Sequence, residues 1–501
     1  MSATPVDGAE LRSRVLRGLV WKVASQLVLQ GARFAVVVIL ARLLTPTDYG
    51  LAGMVVVLSS LALIFSDLAL GAALVQRRTL TQKDKSTVFW TGLGTGVVFA
   101  ALGVGLAGPV ARFYGEPDVE PLFAAFSATF VITALAGTQT ALLTREMDFK
   151  ALELRMMAGA VAGAVAGITI AATGGGAWAI LAQQLTAACV STLMLWRMST
   201  WRPTFEFSLA SLRSLAGFSA NVFTTRILFY VTRTVDTLLI GRFLGSAAVG
   251  AWTISNAVVL FPSNQVAGPI QEVLYPAFSR LQDEPARMAD AWIRVNRLVA
   301  SLSVPALLGM IVVAPDFVHV VLGSRWDVAV PVIQTMAWVG LLQSLQRLNS
   351  SILQARDRTR LLLVYAVVVC SAVTGGIAGG LHWGVTGVAI GYAVASTIVE
   401  PYYTWLTARS LESSLLAFAR GLSGVAQAAL LMLACVAAAR YGLVHAGIGP
   451  LPRLVLLVLV GLAVYVPALL WRAPQVVAEL REVRGKRRAS APAAAVAEPT
   501  A

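Results

Sequence analysis

The chain has 501 residues, of which 57% are hydrophobic and only 13% charged, with a mean hydropathy of +0.75 and a formal net charge of +14. A soluble domain is about one-quarter charged, so this composition excludes a soluble enzyme or nucleic-acid-binding module and requires an integral membrane protein. Three cysteines, Cys189, Cys370 and Cys435, all lie in apolar stretches; neither a disulfide framework nor a metal motif is readable from them.

Apolar runs near the roughly 20 residues that span a bilayer recur fourteen times: 18–41, 49–72, 86–109, 120–143, 153–173, 177–197, 215–241, 249–271, 293–314, 328–350, 361–381, 384–408, 415–439 and 452–471. They are too long and too uniformly apolar for barrel strands, which alternate, so the expected fold class is all-α. Between them lie turn signals such as Thr45-Pro46-Thr47-Asp48, Gly115-Glu116-Pro117-Asp118, Gly174-Gly175-Gly176 and Gly449-Pro450. The first span lacks a small-residue cleavage site and is expected to be retained. With the N-terminus inside, 28 of the 39 basic residues fall on the cytoplasmic side and six (Arg42, Arg112, Arg242, Arg325, Arg440, Arg453) on the outer side. The positive-inside rule then places both termini in the cytoplasm. Most of the net charge is thereby a topology signal, and no nucleic-acid partner is implied.

The chain repeats itself. At an offset of 200, Arg33 falls on Arg233, Arg42 on Arg242, Leu44 on Leu244 and Gly50 on Gly250. At an offset of 208, Gly115, Gly167 and Gly176 fall on Gly323, Gly375 and Gly384. The shift places an insertion of eight residues in the connector around 274–291. Six spans per half is an even number, so the halves are parallel, related by an axis along the membrane normal. The expected organisation is a cytoplasmic segment (1–17), an N-lobe (18–214), a C-lobe (215–412), two extra helices (413–472) and a basic, then disordered, cytoplasmic tail (473–501).

Charges inside spans are costly, about 2.5 to 3.5 kcal/mol each on insertion scales, and they mark cavities or partners. Lys22 and Arg33 are eleven residues apart and share a helix face to within about 20°, with Gln26 on it and Gln30 near it. Arg226 and Arg233 are seven apart, and Asp236 lies one turn beyond Arg233, within reach of a helical ion pair. Both stripes are expected to face the space between the lobes. Arg33 and Arg226 have no acid within one turn of their own helices, and a guanidinium fork suits phosphate oxygens. Arg42 and Arg242 are expected to snorkel outward. Asp67 and Glu272, at the cytoplasmic ends of the second helix of each half, fit a gate or a helix-connecting pair, and Glu400 is a candidate proton or cation site. Scattered amides, Gln139, Gln334, Gln343, Gln346 and Asn349 among them, read as interhelical glue. The glycine runs Gly159-Gly163-Gly167 and Gly375–Gly380 read as close-packing surfaces. No catalytic constellation, metal set or cofactor loop stands out; without a G-x-x-x-x-G-K-[ST] loop, transport must draw on an ion gradient, the membrane potential or substrate flux.

The stretches Ala41-Arg42-Leu43-Leu44-Thr45-Pro46-Thr47-Asp48-Tyr49-Gly50, Asp67–Gln76, Asp236–Gly245 and Leu274–Arg280 together resemble the polysaccharide flippases of the multidrug/oligosaccharidyl-lipid/polysaccharide exporter superfamily. The branch they are most similar to serves capsule, colanic-acid-like and teichuronic-acid-like polymers. One departure is Ala69, where that branch often has glycine. The resemblance covers about residues 16–412. It implies a twelve-helix, two-lobed core plus two helices in a bacterial cytoplasmic membrane. It also implies alternating access and an undecaprenyl-diphosphate-linked oligosaccharide as substrate. Arg33, Arg226, Arg233, Lys22, Gln26 and Gln30 then become the substrate-binding set; Asp67, Asp236, Glu272 and Glu400 become the gating or ion-coupling set. Glycosyltransferases and a polysaccharide polymerase are the implied protein partners. Two other readings remain: a drug/cation antiporter of the same superfamily, and a non-transporting scaffold for assembly enzymes.

Overall fold

The computed structural model describes residues 31–479, apart from 33, 68–70, 72–73, 76, 78, 211, 214–229, 231–233, 261–277, 279–281, 283 and 477. All regular structure among them is helical. In chain order the helices are α1 (Phe34–Leu43), α2 (Pro46–Asp67), α3 (Gln82–Tyr114), α4 (Val119–Phe126), α5 (Ala128–Arg145), α6 (Phe149–Ala172), α7 (Trp178–Met198), α8 (234–244) and α9 (Ser246–Leu260). They continue with α10 (Pro285–Phe317), α11 (Val330–Ala355), α12 (Thr359–Gly380), α13 (Gly384–Ser410), α14 (Leu415–His445) and α15 (Pro450–Arg472). Each of the fourteen expected spans overlaps a helix. Nine described stretches are long and apolar enough to cross a membrane, and Arg360–Ser410, counted once, holds both α12 and α13. The fourth span is broken at Ser127, whose hydroxyl bonds back to the Phe123 carbonyl at 2.8 Å.

Helix ends follow local chemistry. Thr81 and Asp84 form a capping box at the start of α3, and Gly115 at φ 72° ends it in the left-handed region. Asp148 and Ser414 cap α6 and α14 through their side chains. The segment after α7 is strapped along the first turns of α3: Trp201 Nε1 donates to Gln82 Oε1 (2.7 Å), Thr204 N to Ser86 Oγ (3.0 Å), Trp90 Nε1 to the Thr204 carbonyl (2.8 Å) and Ser208 N to Thr87 Oγ1 (3.0 Å).

The chain divides into two compact units. In the first, which runs to Ile254 and includes Val321–Ala329 and Ile377–Val388, small residues let helices touch backbone to backbone. A Cβ on Gly163 would overlap the Gln183 carbonyl oxygen and lie 2.9 Å from Ala187 Cβ, so α6 and α7 meet along Gly159, Gly163 and Gly167 as expected. The contact of α12 with α13 is made by Gly376 against Gly391 in the second unit and by Gly380 against Gly387 in the first, whereas Gly375 and Gly379 face open space.

The second unit also carries the last two helices. Asp316 of α10, 1% exposed, receives Arg440 Nε from α14 at 2.8 Å and Arg453 Nε from α15 at 2.5 Å, with a further contact from Arg453 Nη2. Two of the six arginines counted on the outer side are thus neutralised in part by one buried carboxylate. At the other end of α10, Arg297 binds Gln475 (2.8 Å) and Glu479 (3.2 Å), and residues 474–476 and 478–479 are helical.

Candidate functional site

Of the expected substrate-binding residues, Lys22, Gln26, Gln30, Arg33, Arg226 and Arg233 lie outside the described residues, as does Glu272. Asp67 closes α2, and its side chain likewise lies outside the description. Asp236 and Glu400 are described, and they occupy different environments.

Asp236 sits in α8. Its Oδ2 accepts from Trp252 Nε1 of α9 at 3.0 Å, and its Oδ1 from the Thr237 backbone and hydroxyl at 2.6 and 3.2 Å. Trp252 is 1% exposed. The carboxylate therefore ties α8 to α9 through a buried indole. A tryptophan sixteen residues away on the next helix gave no readable signal in the sequence.

Glu400 lies in the middle of α13 and is 4% exposed. Tyr365 Oη of α12 donates to its Oε2 at 2.9 Å, and the Tyr365 ring stacks on Tyr403 with centroids 3.6 Å apart. Pro401 follows directly. Its missing N–H leaves the Thr397 carbonyl without its helical donor. A ladder of polar contacts runs alongside, and α11 is its rail. Gln334 Nε2 donates to the Ile311 carbonyl of α10 (2.8 Å), and Trp338 Nε1 to Thr397 Oγ1 of α13 (2.9 Å). Gln343 Nε2 donates to Tyr392 Oη (2.8 Å), and Ser344 and Ser303 pair at 3.1 Å. Gln346 and Thr404 pair at 2.6 Å, and Trp292 Nε1 donates to Asn349 Oδ1 at 3.0 Å. The amides of α11 are interhelical glue, as expected. Thr404, paired with Gln346, also donates its hydroxyl to the Glu400 carbonyl at 3.2 Å. Gln139 of α5 behaves differently: it is fully buried, and neither amide atom has a hydrogen-bond partner among the described residues.

The 200-residue repeat appears in local environments. Residues 41–54 and 241–254 share the same burial class at every position except 44/244 and 46/246. Arg42 and Arg242 are both exposed, as snorkelling requires, but both also hold protein: Arg42 Nε donates to the Val321 carbonyl at 2.9 Å, and the Arg242 guanidinium lies 5.8 Å from the Phe113 ring centre.

A duplicated bundle of membrane-length helices with amides and carboxylates held inside it is the architecture of a helical membrane transporter. Solved structures share it: a lipid II flippase, MurJ, in an inward closed conformation superposes with a TM-score of 0.72 at 13% identity, over 89% of this chain and 98% of that one. An inward-facing multidrug resistance transporter of the MATE family gives 0.61 at 15% identity, over 76% and 94%. The chain belongs to the polysaccharide biosynthesis protein family, whose profile matches residues 39–331. It is 26% identical over 391 residues to the lipopolysaccharide biosynthesis protein WzxC of Escherichia coli, covering 77% of this chain and 80% of that protein. It is 26% identical over 453 residues to the succinoglycan biosynthesis transport protein ExoT of Rhizobium meliloti, covering 90% of each.

Proposed function

We propose that the protein is a flippase. It carries an undecaprenyl-diphosphate-linked oligosaccharide from the inner to the outer leaflet of a bacterial cytoplasmic membrane by alternating access, with both termini in the cytoplasm, for export of a surface polysaccharide. The observation that carries this reading is the conjunction of a polysaccharide biosynthesis family with a fold shared by a lipid II flippase. The antiporter reading shares the fold but not the family. The scaffold reading leaves costly intramembrane arginines without a purpose.

In this reading Arg33 and Arg226, supported by Arg233, grip the diphosphate with bidentate forks. Lys22, Gln26 and Gln30 add charge and amides along the same path, and the lipid tail stays in the bilayer. Asp67, Asp236, Glu272 and Glu400 serve gating or ion coupling, with Asp236 and Glu400 each held by a neutral aromatic donor, Trp252 and Tyr365. Glycosyltransferases must supply the substrate at the inner leaflet and a polymerase must consume it at the outer.

The test is polymer export in a strain lacking the gene, complemented by each variant at matched protein level. Arg33→Ala and Arg226→Ala abolish export, whereas the Lys variants retain part of it, because Lys keeps the charge and loses the fork. Export at the unmodified rate by both Ala variants would show these arginines to be structural.

A further inference from the structure

The helix ends that the charge asymmetry places outside are interlocked across the repeat. At the crossing of α2 and α9, a Cβ on Gly50 would overlap the Ser246 carbonyl oxygen and lie 2.9 Å from Ser246 Cα. A Cβ on Gly250 would overlap the Pro46 carbonyl oxygen and lie 3.1 Å from Pro46 Cα. Positions 46 and 246, and 50 and 250, are repeat equivalents, so the contact is isologous: each half offers the same patch to the other. Gly53 meets its own equivalent, with a Cβ there 3.2 Å from Thr253 Oγ1, as expected of residues beside a local two-fold axis.

The same relation holds around this crossing. Arg42 reaches Val321, and Arg242 reaches Phe113, whose equivalent at an offset of 208 is Val321. Trp326 packs edge-on against Tyr49 with centroids 5.2 Å apart, and its Nε1 donates to the Ala41 carbonyl at 2.7 Å. On the other side Gly241 lies against the Tyr114 ring, where a Cβ would come within 2.6 Å.

One tie is unequal. The start of α2 is capped from within its own half, by Asp48 on Thr45 N at 2.9 Å. Residue 248 is alanine, and α9 instead receives its cap from the other half: Ser246 N donates to Glu116 Oε1 at 3.0 Å. A helix start whose partner sits on the opposite repeat loses that partner whenever the repeats part.

We propose that this collar of α1, α2, α8 and α9 with the turns at 113–116 and 321–326 is the outer gate of the transporter, closed in this structure, and that Glu116 is its latch. The proposal rests on the alternating-access reading above. A backbone contact that only glycine permits is either fully made or lost, because one added carbon cannot be absorbed by a side-chain adjustment. That suits a two-position seal.

Cross-linking tests it. In a background with Cys189, Cys370 and Cys435 replaced by serine, Gly53→Cys with Thr253→Cys places two thiols across the axis, within the reach a disulfide requires. Copper-phenanthroline oxidation should link them and stop polymer export, and dithiothreitol should restore it. An unlinked pair after oxidation, or a linked protein that exports at the reduced rate, overturns the gate. If the reduced pair itself fails to export, the single variant Thr253→Cys decides. A membrane-impermeant maleimide added from outside should label it poorly alone and strongly when combined with Glu116→Ala; equal labelling overturns the proposal. Failure of the flippase reading looks different: the thiols would still link, but deleting the gene would leave export intact, as for an antiporter, or would stop export while the lipid-linked oligosaccharide still reached the outer leaflet, as for a scaffold.

Discussion

Replacing Asp316 with alanine tests whether the two C-terminal helices are held to the bundle by a single buried charge. The carboxylate is 1% exposed and serves Arg440 and Arg453, whose side chains remain 30% and 18% exposed. Breaking a buried ion pair from one side costs about 3 to 5 kcal/mol, because the partner is left buried and unpaired. Here the orphans are two arginines near helix ends with partial access to water, and their stems let the heads reach it; that lowers the expected loss to about 2 to 3 kcal/mol. Arg440→Gln leaves the carboxylate its contacts from Arg453, and one hydrogen bond to a charged group is worth about 1.5 to 3 kcal/mol at most. The expected order of destabilisation is therefore Asp316→Ala above Arg453→Gln above Arg440→Gln. In an Arg440→Gln/Arg453→Gln background, Asp316→Ala should cost much less than in the unmodified protein, because no basic side chain remains to be orphaned. Thermal unfolding of the detergent-purified protein, followed by tryptophan fluorescence, measures all of these. Equal losses for the three single variants, or full additivity in the combined one, would refute the argument.

Other outcomes follow from particular contacts. Gly391→Val should reduce membrane abundance sharply, since even a Cβ there overlaps the Gly376 carbonyl oxygen, while Gly379→Ala, facing open space, should be neutral or slightly stabilising; quantitative immunoblots of membranes compare them. A fluorescent protein fused at Ser490 should light up in the cytoplasm, and alkaline phosphatase inserted at 174–176 should be active outside; an active phosphatase at Ser490 would reverse the topology. Glu400→Gln keeps the shape and an acceptor for Tyr365 but cannot carry a proton or balance a cation. Export by that variant should lose its dependence on the ion gradient, measured with ionophores, and an unchanged dependence would make Glu400 a packing residue.

The number and order of helices were legible because a bilayer asks one simple thing of a chain, about 20 apolar residues per pass. The two-fold duplication was legible because matching residues recur at fixed offsets. Interhelical glue was legible at Gln334, Gln343, Gln346 and Asn349, because an amide in a span must find a partner. Which partner it finds was not. Asp316 escaped notice because its partners lie 124 and 137 residues away, and nothing local distinguishes such an acid from a helix-end residue. Tyr365 gave no sign of itself until Glu400 was seen against it.

Composition, span length and charge asymmetry are properties of residues summed along the chain, and the sequence by itself determined the class, the repeat and the expected orientation from them. The tertiary structure decided the pairings. Glu116 read as a turn residue and became the cap of a helix in the other repeat, and Gly50 and Gly250 read as repeat markers and became a backbone crossing. The physical reason is range: hydropathy acts on each segment alone, whereas a cap, an ion pair or a glycine crossing exists only when two distant segments are brought within a few ångströms.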